Sequence, residues 1–368
     1  KKTKDALWSL ELKNSIQKLA SLCYKKLNMS KKNSNVPSLK SIFKKNKKIS
    51  EIYISFKLIL EKTIDKKPFL VGVSGGPDSL ALVALSKMYQ YDNKAKVFFA
   101  LIDHGIRKNS RNEANSVKKL LNRKKINLKI ITNKEKIKKN IQNEARTIRY
   151  SLLSEYSKTK KIKFILTGHH SDDQIETFLI RLSRGSGVQG LSSMNKITKL
   201  NKNIKIFRPL LNFKKRDLIF IAKKIFGKFI KDPSNKDKKY LRTRIRSLRK
   251  ELEKSGIHHE QIIKSINNLA STRDTLNNYL ERVFKSCVKR KKNETLINLK
   301  RLFLESNEIK LKTLGYAIKD FSNSYYPPRS KKILNVIKRL DSKERVKLTL
   351  AGCFLEKSGN YLSISKEL

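Results

Sequence analysis

The run Phe69-Leu70-Val71-Gly72-Val73-Ser74-Gly75-Gly76-Pro77-Asp78-Ser79 decides the fold of this chain of 368 residues. Its first five residues have the apolar density of a buried strand, and helical periodicity begins at Ser79 after only a short turn. Two adjacent glycines let the backbone approach a ligand and reach φ values that other residues resist. The start of the following helix offers unpaired N–H groups and a positive dipole end, which together suit a phosphate. Ser74 and Ser79 add hydroxyl donors. No GxxxxGK[ST] pattern is present, so this is not a Walker A loop.

Outward from that loop the same alternation repeats. Strand-like runs at Phe69–Val73, Val97–Ile102, Leu128–Ile131 and Phe164–Thr167 alternate with helical stretches at Ser79–Tyr89, Glu113–Arg123, Ile141–Lys160 and Asp172–Leu182. This order predicts an α/β fold, a twisted parallel sheet with right-handed crossovers and helices on both faces. In such sheets ligands gather at the carboxyl ends of the strands. The second strand ends at Asp103-His104, beside the phosphate loop. After the fourth comes Thr167-Gly168-His169-His170-Ser171-Asp172-Asp173-Gln174-Ile175-Glu176-Thr177. Asp173 and Glu176 are three residues apart, so both carboxylates face one side of a helix. Their mutual repulsion serves stability poorly but suits Mg²⁺ or proton transfer. Ser171 or Asp172 is expected to cap this helix. His169 and His170 lack a third ligand at zinc-site spacing.

After about Asp232 the strand signal fades. Leu241–Leu252 and Gln261–Val288 read as helices, and a mainly helical segment runs to about Ile337. Val346–Ile364 holds strand-like pieces around Gly352 and Gly359. The expected parts are a basic, partly flexible N-terminal extension (1–67), an α/β domain that carries the phosphate loop (68–232), a helical linker (233–290) and a small α+β C-terminal domain (291–368). Within the extension, helices are expected around Ala6–Leu27 and Ile52–Ile64, with Lys31–Lys48 flexible between them.

Lys and Arg number 86 against 31 Asp and Glu, a formal charge of +55. Base-composition bias accounts for part of a lysine excess like this, yet the positive field exists whatever its origin. It favours a polyanionic partner such as nucleic acid. Cys23, Cys287 and Cys353 are scattered with no CxxC pair, which excludes a disulfide framework and fits a reducing compartment. No apolar run approaches the roughly 20 residues of a membrane span, and Lys1-Lys2-Thr3-Lys4 leads into no signal-peptide core. A soluble cytoplasmic protein is expected. The chain begins at Lys1 rather than Met, which leaves the completeness of its N-terminus open.

The SGGxDS run after an apolar strand resembles the PP-loop of ATP pyrophosphatases, which have a Rossmann-like sheet and cleave ATP between its α and β phosphates. Further motifs narrow the resemblance to tRNA(Ile)-lysidine synthases. Asp103-His104-Gly105-Ile106-Arg107 resembles the family's VDHGLR, and the Gly168–Thr177 block followed by Arg181-Leu182-Ser183-Arg184-Gly185-Ser186-Gly187 resembles its GHHxDDQxET region. Gly190–Met194, Arg208–Leu211, Asp232–Asn235 and Arg242–Arg246 are similar to GLxGM, RPLL, DPSN and RNRIR. Thr243 replaces the usual Asn of the last, while its three arginines remain. Resemblance is continuous from Phe69 to Arg249 and thinner at Tyr326–Arg329 and Leu350–Cys353.

What the resemblance implies is an ATP-dependent ligase. The C2 oxygen of the wobble cytidine (position 34) of tRNA(Ile) with a CAU anticodon is adenylated by ATP. The ε-amine of free L-lysine then displaces AMP to give lysidine. Ser74, Gly75, Gly76, Pro77, Asp78 and Ser79 would hold the phosphates, with Asp103 and His104 lining the adenosine pocket. Asp78, joined by Asp173, would bind Mg²⁺. Arg242 would stabilise charge at the α-phosphate, and Arg244 and Arg246 would meet tRNA. Near pH 7 only roughly one lysine amine in 2,500 is neutral, so a base is required, and Asp173 or Glu176 could serve. A homodimer is compatible with the sequence. The rival readings are a tRNA thiolase, an amidotransferase-linked synthetase and a catalytically dead nucleotide- or RNA-binding module. The first lacks paired cysteines near the site, the second lacks a glutaminase signature, and only turnover separates the third.

Overall fold

The computed structural model describes residues 38–106, 109–133, 141–230, 239, 241–324, 327–342 and 345–367. The expected Ala6–Leu27 helix, Arg107, the Asp232–Asn235 motif and Tyr326 lie outside them. The chain divides into two compact units with the boundary between Asn267 and Asn268.

In the first unit, α1 (Leu39–Lys45) and α2 (Lys47–Thr63) precede β1 (Phe69–Val73) and α3 (Pro77–Asn93). There follow β2 (Val97–Asp103), α4 (Ser110–Asn122), β3 (Leu128–Thr132), α5 (Ile141–Thr159), β4 (Phe164–Leu166) and α6 (Ser171–Leu182). The one-turn α7 (Val188–Leu191), β5 (Ile197–Lys199), β6 (Lys205–Phe207), α8 (Lys215–Phe226), α9 (Leu241–Ser247) and α10 (Arg249–Lys254) complete it, and α11 (His259–Cys287) crosses the boundary. Among the described residues six strands form a sheet in the order β3-β2-β1-β4-β6-β5. All adjacent pairs are parallel except β5 with β6.

Strand periodicity splits the core in two. Phe69, Val71 and Val73 enter one cluster with residues of α1, α2, α3, α4 and α8. Leu70, between them, joins Ile102, Leu153 and Ile165 in a second cluster that includes α5. Helices therefore cover both faces, as the βαβ pattern predicts.

Three details differ from the sequence reading. Part of Lys31–Lys48, expected to be flexible, is helix α1: Leu39 and Phe43, one turn apart, are 4% and 2% exposed, and Phe43 meets Tyr53 edge-on. Apolar spacing within a lysine-rich stretch outweighs its mean polarity. Strands β5 and β6 were not anticipated, being three residues each and flanked by lysines and asparagines. The expected helix Leu241–Leu252 is two helices, broken at Leu248.

In the second unit, β7 (Val288–Arg290) and β8 (Glu294–Asn298) lie within a stretch expected to be helical. The helices α12 (Leu299–Phe303), α13 (Asn307–Phe321) and α14 (Ser330–Ser342) follow, then β9 (Val346–Leu350), β10 (Cys353–Ser358) and β11 (Tyr361–Lys366). These strands form an antiparallel sheet in the order β7-β8-β11-β10-β9. Pairing with the distant β11 places β8 in this sheet, a partner that local pattern cannot reveal. Among the described residues no helix is long and apolar enough to cross a membrane.

Candidate active site

The loop after β1 is shaped by its glycines. Gly75 has φ +80°, and a Cβ there would lie 2.6 Å from Val117. The Ile230 N–H donates to the Gly75 carbonyl at 3.0 Å, tying the chain after α8 to the loop. Gly76 caps α3 with an extended backbone and no side chain, and Pro77 occupies the first turn, where its missing N–H costs nothing. Ser79 Oγ donates to the Gly76 carbonyl at 3.0 Å and accepts from Ser74 N–H at 3.2 Å. Ser74 and Ser79 thus brace the turn internally while the helix start faces the strand ends.

A cavity of about 320 Å³ opens at the carboxyl ends of β1, β2 and β4. Ser74, Asp78, Ser79, Asp103, His104 and Thr167–His169 line it, as do Arg149 and Tyr150 of α5. The structure therefore gathers most of the sequence-predicted nucleotide residues at one site. At the β4 end, a Cβ on Gly168 would stand 3.1 Å from the Asp78 backbone carbon and oxygen and 3.2 Å from Ser79 N. Glycine lets β4 press against the start of α3.

Beyond that contact lies an acid–imidazole cluster. His170 Nε2 is 3.5 Å from both Asp78 Oδ2 and Asp173 Oδ2. Asp173 Oδ2 also accepts the His170 backbone N–H at 3.1 Å. Burial alone would push the His170 imidazole down, but Asp78, Asp173 and Asp172 outweigh it and hold the ring above its ordinary value. His169 goes the other way. Burial lowers it, Asp173 opposes, and Arg208, Arg146 and Arg242 lower it further, so its ring is neutral. For Asp173, burial favours the acid form but the His170 imidazole, a backbone N–H and Arg242 keep it below the usual carboxylate range. His170 precedes α6 as its cap residue, so neither Ser171 nor Asp172 caps that helix. Asp172 instead pairs with Arg249, and Ser171 Oγ donates to the Phe213 carbonyl at 2.9 Å.

Asp78 Oδ1 is buried and without a hydrogen-bond partner. An orphaned carboxylate oxygen beside a phosphate cradle fits a hard cation. Among the described residues no set of three His, Cys, Asp or Glu is arranged to hold a metal unaided. A cation here would draw most of its ligands from phosphate oxygens and water, the habit of Mg²⁺.

Glu176, one turn after Asp173, meets the arginines of α9. Arg246 grips it through Nε to Oε1 at 2.5 Å and Nη2 to Oε2 at 3.1 Å. Arg242 Nε is 3.1 Å from Oε2, off the line a hydrogen bond needs, and its Nη2 donates to Thr177 at 3.2 Å. Arg246 also comes within 4.0 Å of Asp173. Arg244 takes another direction, donating to the Lys239 carbonyl at 3.2 Å. A second cavity, about 220 Å³, lies behind α6. Ile175, Leu179, Ile245, Leu252 and Ile262 line it beside Asp172, Glu176, Glu253, Arg246 and Arg249.

Sequence reading missed the clamp that shapes the far side of α6. Gln174 exchanges two hydrogen bonds with the Met194 backbone, at 2.8 and 3.1 Å. Arg181 donates to the Gly190 and Ser193 carbonyls at 2.6 and 2.9 Å. Arg208, 5% exposed, donates to the Asn195 carbonyl and Thr198 Oγ1, each at 2.8 Å. All three stood within quoted motifs, but most of their partners are backbone groups, which no residue pattern announces.

Residues 45–252 match the model of a PP-loop domain. The chain is 36% identical over 324 residues to the tRNA(Ile)-lysidine synthase of Wolbachia pipientis wMel, covering 85% of this chain and 75% of that one. It is 34% identical over 308 residues to the enzyme of the same name from Orientia tsutsugamushi, covering 81% and 69%. Among solved structures it is similar to the U34-tRNA thiolase NcsA from Methanococcus maripaludis with its [4Fe-4S] cluster. That match has a TM-score of 0.50 at 21% identity and covers 60% of this chain and 80% of that one, a likeness of fold.

Proposed function

The chain belongs to the tRNA(Ile)-lysidine synthase family of PP-loop proteins, and we propose that its geometry serves lysidine formation as follows. ATP lies in the cavity at the β1, β2 and β4 ends, with its phosphates on the Ser74–Ser79 turn. The C2 oxygen of the wobble cytidine (position 34) of tRNA(Ile) with a CAU anticodon attacks the α-phosphorus, and diphosphate leaves. The ε-amine of free L-lysine then attacks C2, the C–O bond breaks, and AMP departs with the former C2 oxygen. Asp78, with Asp173 beside it, would hold Mg²⁺, which neutralises phosphate charge when bound. Arg242, half-exposed on α9, faces the charge that develops at the α-phosphate. His104, Asp103 and Tyr150 enclose the nucleoside.

The observation that carries this reading is that Asp78, which lines the PP-loop cavity, also stands 3.5 Å from His170, which lies equally close to Asp173. Both oxygens of Glu176 are engaged by guanidinium groups, which supports a role in organising the α9 arginines and leaves Asp173, though its carboxyl is lowered, as the base in this reading. The cavity behind α6 suits lysine, with an apolar sleeve for the methylenes, carboxylates for ammonium groups and guanidiniums for the carboxylate. The α9–α11 region carries tRNA contacts, in which Arg244 takes part. The thiolase reading fares worse, because no cysteine lies between Phe69 and Arg249.

The test is AMP formation by the purified protein with each substrate omitted in turn. The proposal requires release that depends on both tRNA and lysine. Release indifferent to lysine would refute the ligation step while leaving ATP cleavage in place.

A further inference from the structure

Two arginines near the β4 end have no acidic partner among the described residues. Arg208 is 5% exposed, donates only to a carbonyl and a hydroxyl, and leaves its Nε buried without a partner. A buried guanidinium with no counter-charge is costly, commonly by several kcal/mol, unless an anion approaches it. Arg146, on α5, is exposed and lies over the Tyr150 ring at 5.1 Å. The Tyr150 ring under Arg146 lines the PP-loop cavity, which puts Arg146 at its edge, and burial first, then the charge of Arg146, lower the Arg208 guanidinium.

Position separates this pair from the nucleotide's own cradle. The PP-loop cavity is lined by Arg149 and Tyr150, while Arg146, one turn earlier on α5, is not among its lining residues. The triphosphate already has the Ser74–Ser79 turn. An anion lying across the outside of the cavity mouth would meet Arg146 directly and Arg208 through its field. The ring under Arg146 preorganises its guanidinium, which leaves the fork free to take two phosphate oxygens.

We infer that Arg146, backed by the buried charge of Arg208, forms a second phosphate site that takes a backbone phosphate of the RNA substrate as it enters the active site. The inference rests on the proposed RNA substrate and adds the point at which its backbone is held. Gripping a phosphate beside the reacting base fixes the register of the base without reading its sequence, the usual division of labour in RNA and DNA recognition. The Arg208 donors that anchor Asn195 and Thr198 keep its charge at a fixed depth.

The experiment measures binding alone, so that a failure of lysine transfer does not affect it. Unmodified tRNA with a CAU anticodon is titrated by anisotropy across a salt series, and ATP by calorimetry. The proteins compared are wild type, Arg146→Ala, Arg146→Lys and, as a matched charge loss at an exposed site, Lys66→Ala. Arg146→Ala should weaken RNA binding roughly tenfold at low salt and reduce the salt slope by about one. Arg146→Lys should keep the slope, and ATP affinity and thermal midpoint should be unchanged. Weakened ATP binding with intact RNA binding would overturn the RNA assignment. RNA losses equal to those of Lys66→Ala, or none, would overturn the site itself.

Discussion

Arg246 Nε lies 2.5 Å from Glu176 Oε1, joining two residues 70 positions apart. The contact docks α9, a helix with no fully buried residue, onto the helix that carries the acid cluster. Docking by charge rather than by apolar area makes the arginines available to phosphate, at the cost of dependence on one carboxylate.

Glu176→Gln should therefore lower stability by about 1–3 kcal/mol, because it leaves Arg246 with a weaker partner in a mostly buried place. Urea unfolding of Glu176→Gln, Arg246→Gln and the double variant measures the coupling. Additive losses would show that the pair does not cooperate.

Gly168→Ala should disturb the site without touching a catalytic group. The new methyl meets backbone atoms of Asp78 and Ser79 at 3.1–3.2 Å, and backbone cannot rotate aside. A loss of about 1–3 kcal/mol is expected, with ATP binding weakened more than tRNA binding. Unchanged ATP affinity in calorimetry would contradict the close contact.

Asp78→Asn replaces a carboxylate whose Oδ1 has no protein partner. The change should abolish the Mg²⁺ dependence of ATP binding and reduce diphosphate release by at least about a hundredfold. Retained Mg²⁺ dependence in a titration with a non-hydrolysable ATP analogue would place the cation elsewhere.

His104 yields a prediction in pH. Burial, then the Arg149 charge, depress its imidazole from 6.5 to about 4, with Asp103 opposing. Its folded value lies below the unfolded one, so the neutral ring contributes fully above about 6.5, and the contribution is lost as pH falls towards 4. Thermal midpoints of wild type should drop more steeply than those of His104→Gln between pH 6.5 and 4. Parallel profiles would mean that the ring titrates normally.

Much of this was legible because it is local. The strand at Phe69–Val73 matches its expected bounds to the residue, since an apolar run and a Gly-Gly turn are both short-range signals. Ser74, Asp78, Ser79, Asp103 and His104 share one cavity because parallel strands deliver their ends to one edge. His170 was quoted but weighed only as a metal ligand, since pattern could not show that it bridges Asp78 and Asp173. The engagement of Glu176 by Arg242 and Arg246 was equally invisible, because Coulomb pairing across 70 residues leaves no periodicity. Helix α1 escaped notice because only two of its seven residues are buried, and lysines surround them.

The most direct measurement is a pulse and chase with ATP labelled at the α-phosphorus. The protein, Mg²⁺ and unmodified tRNA are mixed first without lysine, then lysine is added. Label should attach to the RNA in the first stage and leave as AMP in the second, with one lysine bound to the RNA for each AMP released. AMP appearing without passage of label through the RNA would contradict the adenylated intermediate on which the whole account depends.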